Sequence, residues 1–219
     1  MAGLSIEPVL DKPGNESNSR PATYGVFVYG SMVSPAEISS LLGHPARERR
    51  DYVAASLHGW KRRWSVCTDN TTSVAVRYYE PGSNVRPAVQ VLFLNVERTQ
   101  TPGAGTEGVL IFVQSRHLLD LDARERNYDR VVVTLSISVD ASDTRPDLVW
   151  TYVGKPRRVS RARRAISEGT ARIRTDYVTS VRSAFARSER MLAELEALLS
   201  PPPAPVANLV RVVDGRRDR

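Results

Sequence analysis

The feature that most limits the fold is a succession of short strand-forming runs. Tyr52–Leu57, Trp60–Val66, Ser73–Tyr78, Val89–Asn95 and Glu107–Val113 are rich in β-branched and aromatic residues. Turn formers such as Asp69-Asn70 and Pro81-Gly82-Ser83-Asn84 separate them. So many short strands predict a small mixed β-barrel or a strongly curved sheet. Arg130–Val139 and Leu148–Val153 read as further strands, and an earlier buried run from Tyr24 to Tyr29 stops abruptly at Gly30. Helical signals lie between and after these runs. Ser34-Pro35-Ala36-Glu37 has the form of a helix start, with Ser34 as N-cap, Pro35 at the first helical position, Glu37 completing a capping box, and Gly43 ending the helix. A short helix is expected from Ser115 to about Arg126. Val178, Val181, Phe185, Ser188, Leu192, Leu195 and Leu199 step alternately by three and four, which predicts one long C-terminal helix ended by Pro201-Pro202-Pro203. The expected class is therefore α+β, a mixed barrel or curved sheet flanked by helices.

A chain of 219 residues buries roughly 70% of its unfolded surface, so its stability requires no disulfide or metal. Residues 1–22, with Lys12-Pro13-Gly14-Asn15 and no periodic apolar face, predict a flexible lead-in. Residues 23–200 are expected to form a single domain, and 201–219 a Pro-rich and then basic tail. Cys67 is the one cysteine, which excludes an intrachain disulfide and fits a reducing compartment. The sequence opens without a signal-peptide pattern and no apolar run approaches the length of a membrane span, so the expected location is cytoplasmic, with no membrane partner. The net charge of +7, from 31 basic and 24 acidic residues, raises the question of a polyanionic partner. All but Lys12, Lys61 and Lys155 of the basic residues are arginines, as a coding preference would give. The charge concentrates in Lys155–Arg174 and in Arg216, Arg217 and Arg219, and no aromatic residue lies between Lys155 and Arg174 to stack on a base. These observations argue against a nucleic-acid partner.

Two places are suited to chemistry. Val26-Phe27-Val28-Tyr29-Gly30-Ser31-Met32 carries a buried strand through a glycine turn straight into a helix start. Such a turn aims backbone N–H groups at one point beside a helix N-terminus, where a carboxylate or an oxyanion can be held. A plain packing corner has the same pattern. In the second place, Leu118, Leu121 and Glu125 fall on one helical stripe, so the carboxylate shares the side of two core leucines. Burial disfavours its charged form and raises its pKa, which suits a general base near neutral pH. An ion pair with Arg124 or Arg130 is the structural alternative. His44, His58 and His117 share no metal-ligand spacing, Cys67 has no nearby His, and no phosphate-loop or dinucleotide glycine pattern occurs. The expected chemistry runs without metal, cofactor or covalent nucleophile.

Taken in order, Val26–Met32, then Glu107-Gly108-Val109-Leu110-Ile111-Phe112-Val113, then the run from Leu121 to Arg130 resemble the gamma-glutamylcyclotransferase family and its glutathione-specific relatives. The resemblance reaches from roughly Tyr24 to Val153, with a loose echo in the C-terminal helix. It implies a small mixed barrel flanked by helices. It also implies an activity that releases the amine of a γ-glutamyl compound while closing the glutamyl part into 5-oxoproline. By that resemblance Tyr29-Gly30-Ser31, flanked by Val28 and by Met32 where Leu or Asn is usual, binds the glutamyl group through backbone amides, and Glu125 is the catalytic carboxylate. The family often places a substrate-contacting tyrosine after the last barrel strand, and Lys155–Arg174 contains none.

The chemistry agrees with this resemblance. The substrate's own α-amine attacks its own γ-carbonyl, so an enzyme must fold the substrate rather than supply a nucleophile. Glu125 would take the ammonium proton, the loop amides would hold the oxyanion, and the protonated Glu125 would return the proton to the leaving amine. The arginines of Lys155–Arg174 are expected to grip a carboxylate on the leaving side. The partner is then a small γ-glutamyl molecule, and the protein a monomer or homodimer. Glutathione or a γ-glutamyl-protected biosynthetic intermediate remains open as the substrate, as does a non-catalytic small-molecule binder on the same scaffold.

Overall fold

The computed structural model describes residues 23–139 and 145–213, together with the backbone of 216–217. The expected lead-in, residues 1–22, lies outside the described residues. In chain order the elements are β1 (Tyr24–Val28), a 3₁₀ turn (Ser31–Val33), α1 (Pro35–Leu42), β2 (Tyr52–His58), β3 (Trp60–Asp69), β4 (Val76–Tyr79), β5 (Gln90–Arg98) and β6 (Gly105–Val113). There follow α2 (Ser115–Arg124), β7 (Tyr128–Val132), β8 (Ile137–Val139), β9 (Leu148–Gly154), α3 (Pro156–Ser167) and β10 (Ala171–Arg174). The last elements are α4 (Thr175–Phe185), α5 (Glu189–Leu198), β11 (Val206–Ala207), β12 (Val210–Val213) and β13 (Arg216–Arg217).

The strands form three sheets, ordered β7-β9-β1-β6-β2-β8, β11-β10-β5-β3 and β13-β12-β4. No closed barrel forms among the described residues, so the barrel reading is corrected to an α+β fold of three sheets flanked by helices. β1 lies inside the largest sheet, antiparallel to β6 with Val28 opposite Val109, and parallel to β9 with Phe27 opposite Thr151. Flanked by strands on both edges, its Val26 and Phe27 are fully buried, which accounts for its unbroken apolar run. The first two sheets meet at Asn95 of β5. Its Oδ1 accepts the Gly154 backbone N–H of β9 at 2.8 Å, and its Nδ2 donates to Ser65 Oγ at 3.1 Å. A Cβ on Gly154 would run into Val66 and come within 3.0 Å of Val159. Glycine therefore sets how closely the sheets approach, and the buried Asn95 is satisfied by both of them.

The helices depart from the sequence expectation in instructive ways. α1 begins at Pro35 and ends at Gly43 in the left-handed region, φ 74°, as expected. The Ser34 side chain makes no capping bond, however, and Glu37 reaches instead to Arg124 of α2, Oε2 to Nη2 at 2.9 Å. A long-range ion pair has displaced the local capping box. The expected long C-terminal helix is two helices, α4 and α5, separated at residues 186–188. Ser188 is the N-cap of α5, its Oγ accepting from the Met191 N–H at 3.2 Å. The apolar stripe runs across the break because Val178, Val181 and Phe185 on one side, and Met191 and Leu195 on the other, enter the same core.

Arg130–Val139 is not one strand but β7 and β8, with a 3₁₀ turn at Thr134–Ser136 between them. The segment read as a tail past Pro201 carries paired strands: β11 runs parallel to β10, β12 antiparallel to β4, and Ala204, Leu209 and Val212 are buried. The basic stretch Lys155–Arg174 is α3 and β10. α3 packs on β3 through Ala162 and Ala165 while Arg161 pairs with Asp69 at 2.5 Å and Arg163 with Glu97 at 3.5 Å. No helix among the described residues is long and apolar enough to cross a membrane.

Candidate active site

The end of β1 and the end of α2 line one cleft, which is open to solvent. Val28, Tyr29, Gly30, Ser31 and Met32 form one wall, and Arg124 and Glu125 another. Phe27, Leu94, Tyr128, Tyr152 and Tyr177 complete the lining. All six residues singled out in the sequence therefore come together. None of the lining residues belongs to Lys155–Arg174, so those arginines do not stand at the cleft, contrary to expectation.

The loop wall follows from its local geometry. The chain leaves β1 after Val28, is extended at Gly30 (φ −118°, ψ −149°), and enters the 3₁₀ turn, whose Val33 N–H donates to Gly30 O at 3.1 Å. The first N–H groups of such a turn have no partner within it, so they are available to a ligand. Behind the loop stands Arg62 of β3, 2% exposed. Its Nε donates to the Tyr29 carbonyl oxygen at 2.9 Å, its Nη2 donates to the Glu107 carbonyl oxygen, and its Nη1 pairs with the Glu194 carboxylate from α5. The guanidinium also lies 4.7 Å from the centre of the Phe185 ring. Burial pulls the Arg62 pKa below its ordinary value and pushes that of Glu194 up, and each partner's charge opposes the other's shift. The Tyr29 hydroxyl donates to the Tyr152 carbonyl oxygen at 2.6 Å, tying the loop to β9 as well.

Glu125 sits at the C-cap of α2, where its N–H donates to Leu121 O at 2.8 Å. Leu118 and Leu121 are buried on the same side, and the Glu125 side chain is 22% exposed. Burial raises its pKa, with the neighbouring Arg124 acting in the opposite direction. The ion pair weighed as an alternative is present at 3.5 Å, Arg124 Nε to Glu125 Oε1, so burial and pairing coexist here. Arg130 pairs with Asp122 instead, at 3.3 Å.

Three tyrosines that sequence reasoning had not assigned line the same cleft as Glu125. Tyr128 donates to the Leu94 carbonyl oxygen at 2.8 Å, and Tyr152 donates to Asp122 Oδ1 at 2.7 Å. Tyr177, in the first turn of α4, packs edge-on against Trp64 and Phe93, with ring centres 5.9 and 5.2 Å away. Its hydroxyl oxygen lies 3.4 Å from where a Cβ on residue 30 would stand. Burial raises the pKa of all three phenols, and the Glu125 charge adds to the rise. They therefore act as neutral hydrogen-bonding groups near pH 7. Tyr177 lies three residues beyond Arg174, in the first turn of α4 directly after β10, and so falls outside the Lys155–Arg174 stretch that lacks a tyrosine.

No protein-family model matches the chain, and no curated protein matches it in sequence. Among solved structures, YkqA from Bacillus subtilis is similar with a TM-score of 0.52 at 16% identity, over 87% of this chain and 58% of that one. A structure named gamma-glutamyl cyclotransferase gives 0.47 at 13% identity, over 81% of this chain and 87% of that one. A yeast gamma-glutamyl cyclotransferase specific to glutathione gives 0.48 at 14% identity, over 82% and 96%. At these identities the likeness describes a fold alone, and the similarity to YkqA carries it: the chain shares the fold of the matched 58% of that protein.

Proposed function

We propose that the protein is a gamma-glutamylcyclotransferase-type lyase, which converts a γ-glutamyl amine or peptide into 5-oxoproline and the free amine. One observation carries the reading: a carboxylate of raised pKa, Glu125, faces the Tyr29–Met32 loop across a single cleft. In the proposed reaction the Glu125 carboxylate takes a proton from the substrate's α-ammonium. The freed nitrogen attacks the γ-carbonyl carbon, and the tetrahedral oxyanion is held by the N–H groups of the loop. Protonated Glu125 then returns the proton to the leaving nitrogen as its bond to carbon breaks, and the second proton shed by the ring nitrogen passes through the freed carboxylate to the released amine, which departs as its ammonium form. The Tyr177 hydroxyl, beside Gly30, is in place to hydrogen-bond a substrate held by the loop. Burial that raises the Glu125 pKa brings it nearer to that of the nitrogen it must deprotonate, which favours a base over a spectator carboxylate.

The test is release of 5-oxoproline from a panel of γ-glutamyl amino acids, γ-glutamyl amines and glutathione. The reading predicts release from at least one class, with the free amine in equal amount. Absence of ring-closed product from the whole panel would overturn it.

A further inference from the structure

Arg124 and Glu125 set a cation and an anion side by side on the same wall of the cleft, Nε to Oε1 at 3.5 Å. The glutamyl head of a γ-glutamyl compound carries the complementary pair, an ammonium and a carboxylate on one carbon. We propose that Arg124 binds the α-carboxylate of the substrate while Glu125 faces its α-ammonium, making Arg124 the residue that selects for a free α-carboxylate. The inference rests on the cyclotransferase reading and names the part of the substrate that this reading leaves unassigned.

Three observations support it. Arg124 is the one basic residue lining the cleft among the described residues. Arg62 is committed behind the loop to two backbone carbonyls and Glu194, and Arg161 and Arg163 of α3 are engaged with Asp69 and Glu97. The Arg124 side chain is also oriented in advance: Nη2 bonds Glu37 of α1 at 2.9 Å, while about half of the side chain, 47%, stays open to solvent. A guanidinium offers five donors in one plane, more than these contacts use, and a planar carboxylate can be gripped by two of them. A neutral carboxamide in the same position forfeits the charge-assisted bonds.

The experiment compares two substrates with the same leaving amino acid, one with a free glutamyl α-carboxylate and one with that group as a carboxamide, in the wild type, Arg124→Gln and Arg124→Lys. Ring-closed product is measured in each case. The wild type is expected to favour the carboxylate in kcat/KM by at least about tenfold, mainly through KM. Arg124→Gln should abolish the preference by losing the carboxylate substrate alone, and Arg124→Lys should retain part of it. Ring closure by the wild type without discrimination, or a preference unchanged in Arg124→Gln, would overturn the role of Arg124 and leave the cyclotransferase reading standing. No ring closure of either substrate by the wild type, together with none across the broader panel, would overturn both.

Discussion

Arg62 Nε donates to the carbonyl oxygen of Tyr29 across 2.9 Å, which fixes the first residue of the cleft loop to a buried cation on the neighbouring sheet. The same guanidinium is neutralised by Glu194, so α5, far along the chain, takes part in holding the loop. Removing one member leaves the other partly buried without its partner.

Arg62→Met is therefore expected to lower stability by about 3 kcal/mol, the usual scale for breaking such a pair. The double variant Arg62→Met with Glu194→Leu should recover part of that loss, because no unpaired charge remains. Urea denaturation midpoints of the two variants check this, and a double variant no more stable than the single would contradict it.

Two glycines near the loop separate packing from ligand access. A Cβ on Gly108 of β6 would run into the Val28 carbonyl oxygen and lie 3.0 Å or less from atoms of the Phe27 ring, whereas one on Gly30 meets only the Tyr177 hydroxyl, at 3.4 Å. Gly108→Ala should cost about 1 to 3 kcal/mol through overpacking. Gly30→Ala should fold with near wild-type stability and lose substrate affinity, because its methyl group enters the cleft. Thermal denaturation and KM, measured on both variants, distinguish the two effects.

Much of the site was legible because its two halves carry strong local signals. The buried strand stopping at Gly30 and the Leu118-Leu121-Glu125 stripe each need only a few neighbouring residues to be read. What escaped depends on partners distant in sequence. Glu37 satisfies a capping-box pattern, yet it is drawn to Arg124 on another helix. The stripe from Val178 to Leu199 has helical spacing throughout, and the break is marked only by Ser188, whose capping bond to Met191 reveals it. α3 turns small alanines, Ala162 and Ala165, rather than a broad apolar face toward the core, so its helical period is faint among the arginines. β11 and β12 are short, and their pairing with β10 and β4 depends on contacts with strands far back along the chain.

Tyr177→Phe removes a hydroxyl beside Gly30 and keeps the ring packed against Trp64 and Phe93. Stability should change little, while kcat/KM for γ-glutamyl substrates should fall about tenfold, the scale of one lost hydrogen bond to a charged or developing charge. An unchanged kcat/KM would show that the phenol serves packing alone.

The raised pKa of Glu125 links stability and activity to pH in opposite directions. Its stabilising share is fully present below the ordinary carboxylate value and is lost as pH rises through the raised folded-state value. Glu125→Gln should therefore be slightly more stable than the wild type at neutral pH, with a weaker loss of stability as pH rises. Wild-type kcat/KM should instead increase as Glu125 ionises, with an acid limb above the ordinary glutamate pKa. Denaturation and rate profiles over the same pH range check both signs.

The most direct test of the account is the turnover of Glu125→Gln, measured as 5-oxoproline release from a substrate that the wild type cyclises. Glutamine keeps the shape of the side chain and cannot accept the ammonium proton, so the account predicts a fall in kcat of at least about 100-fold in a folded protein. Turnover within a few-fold of the wild type would show that Glu125 is not the base and would contradict the mechanism.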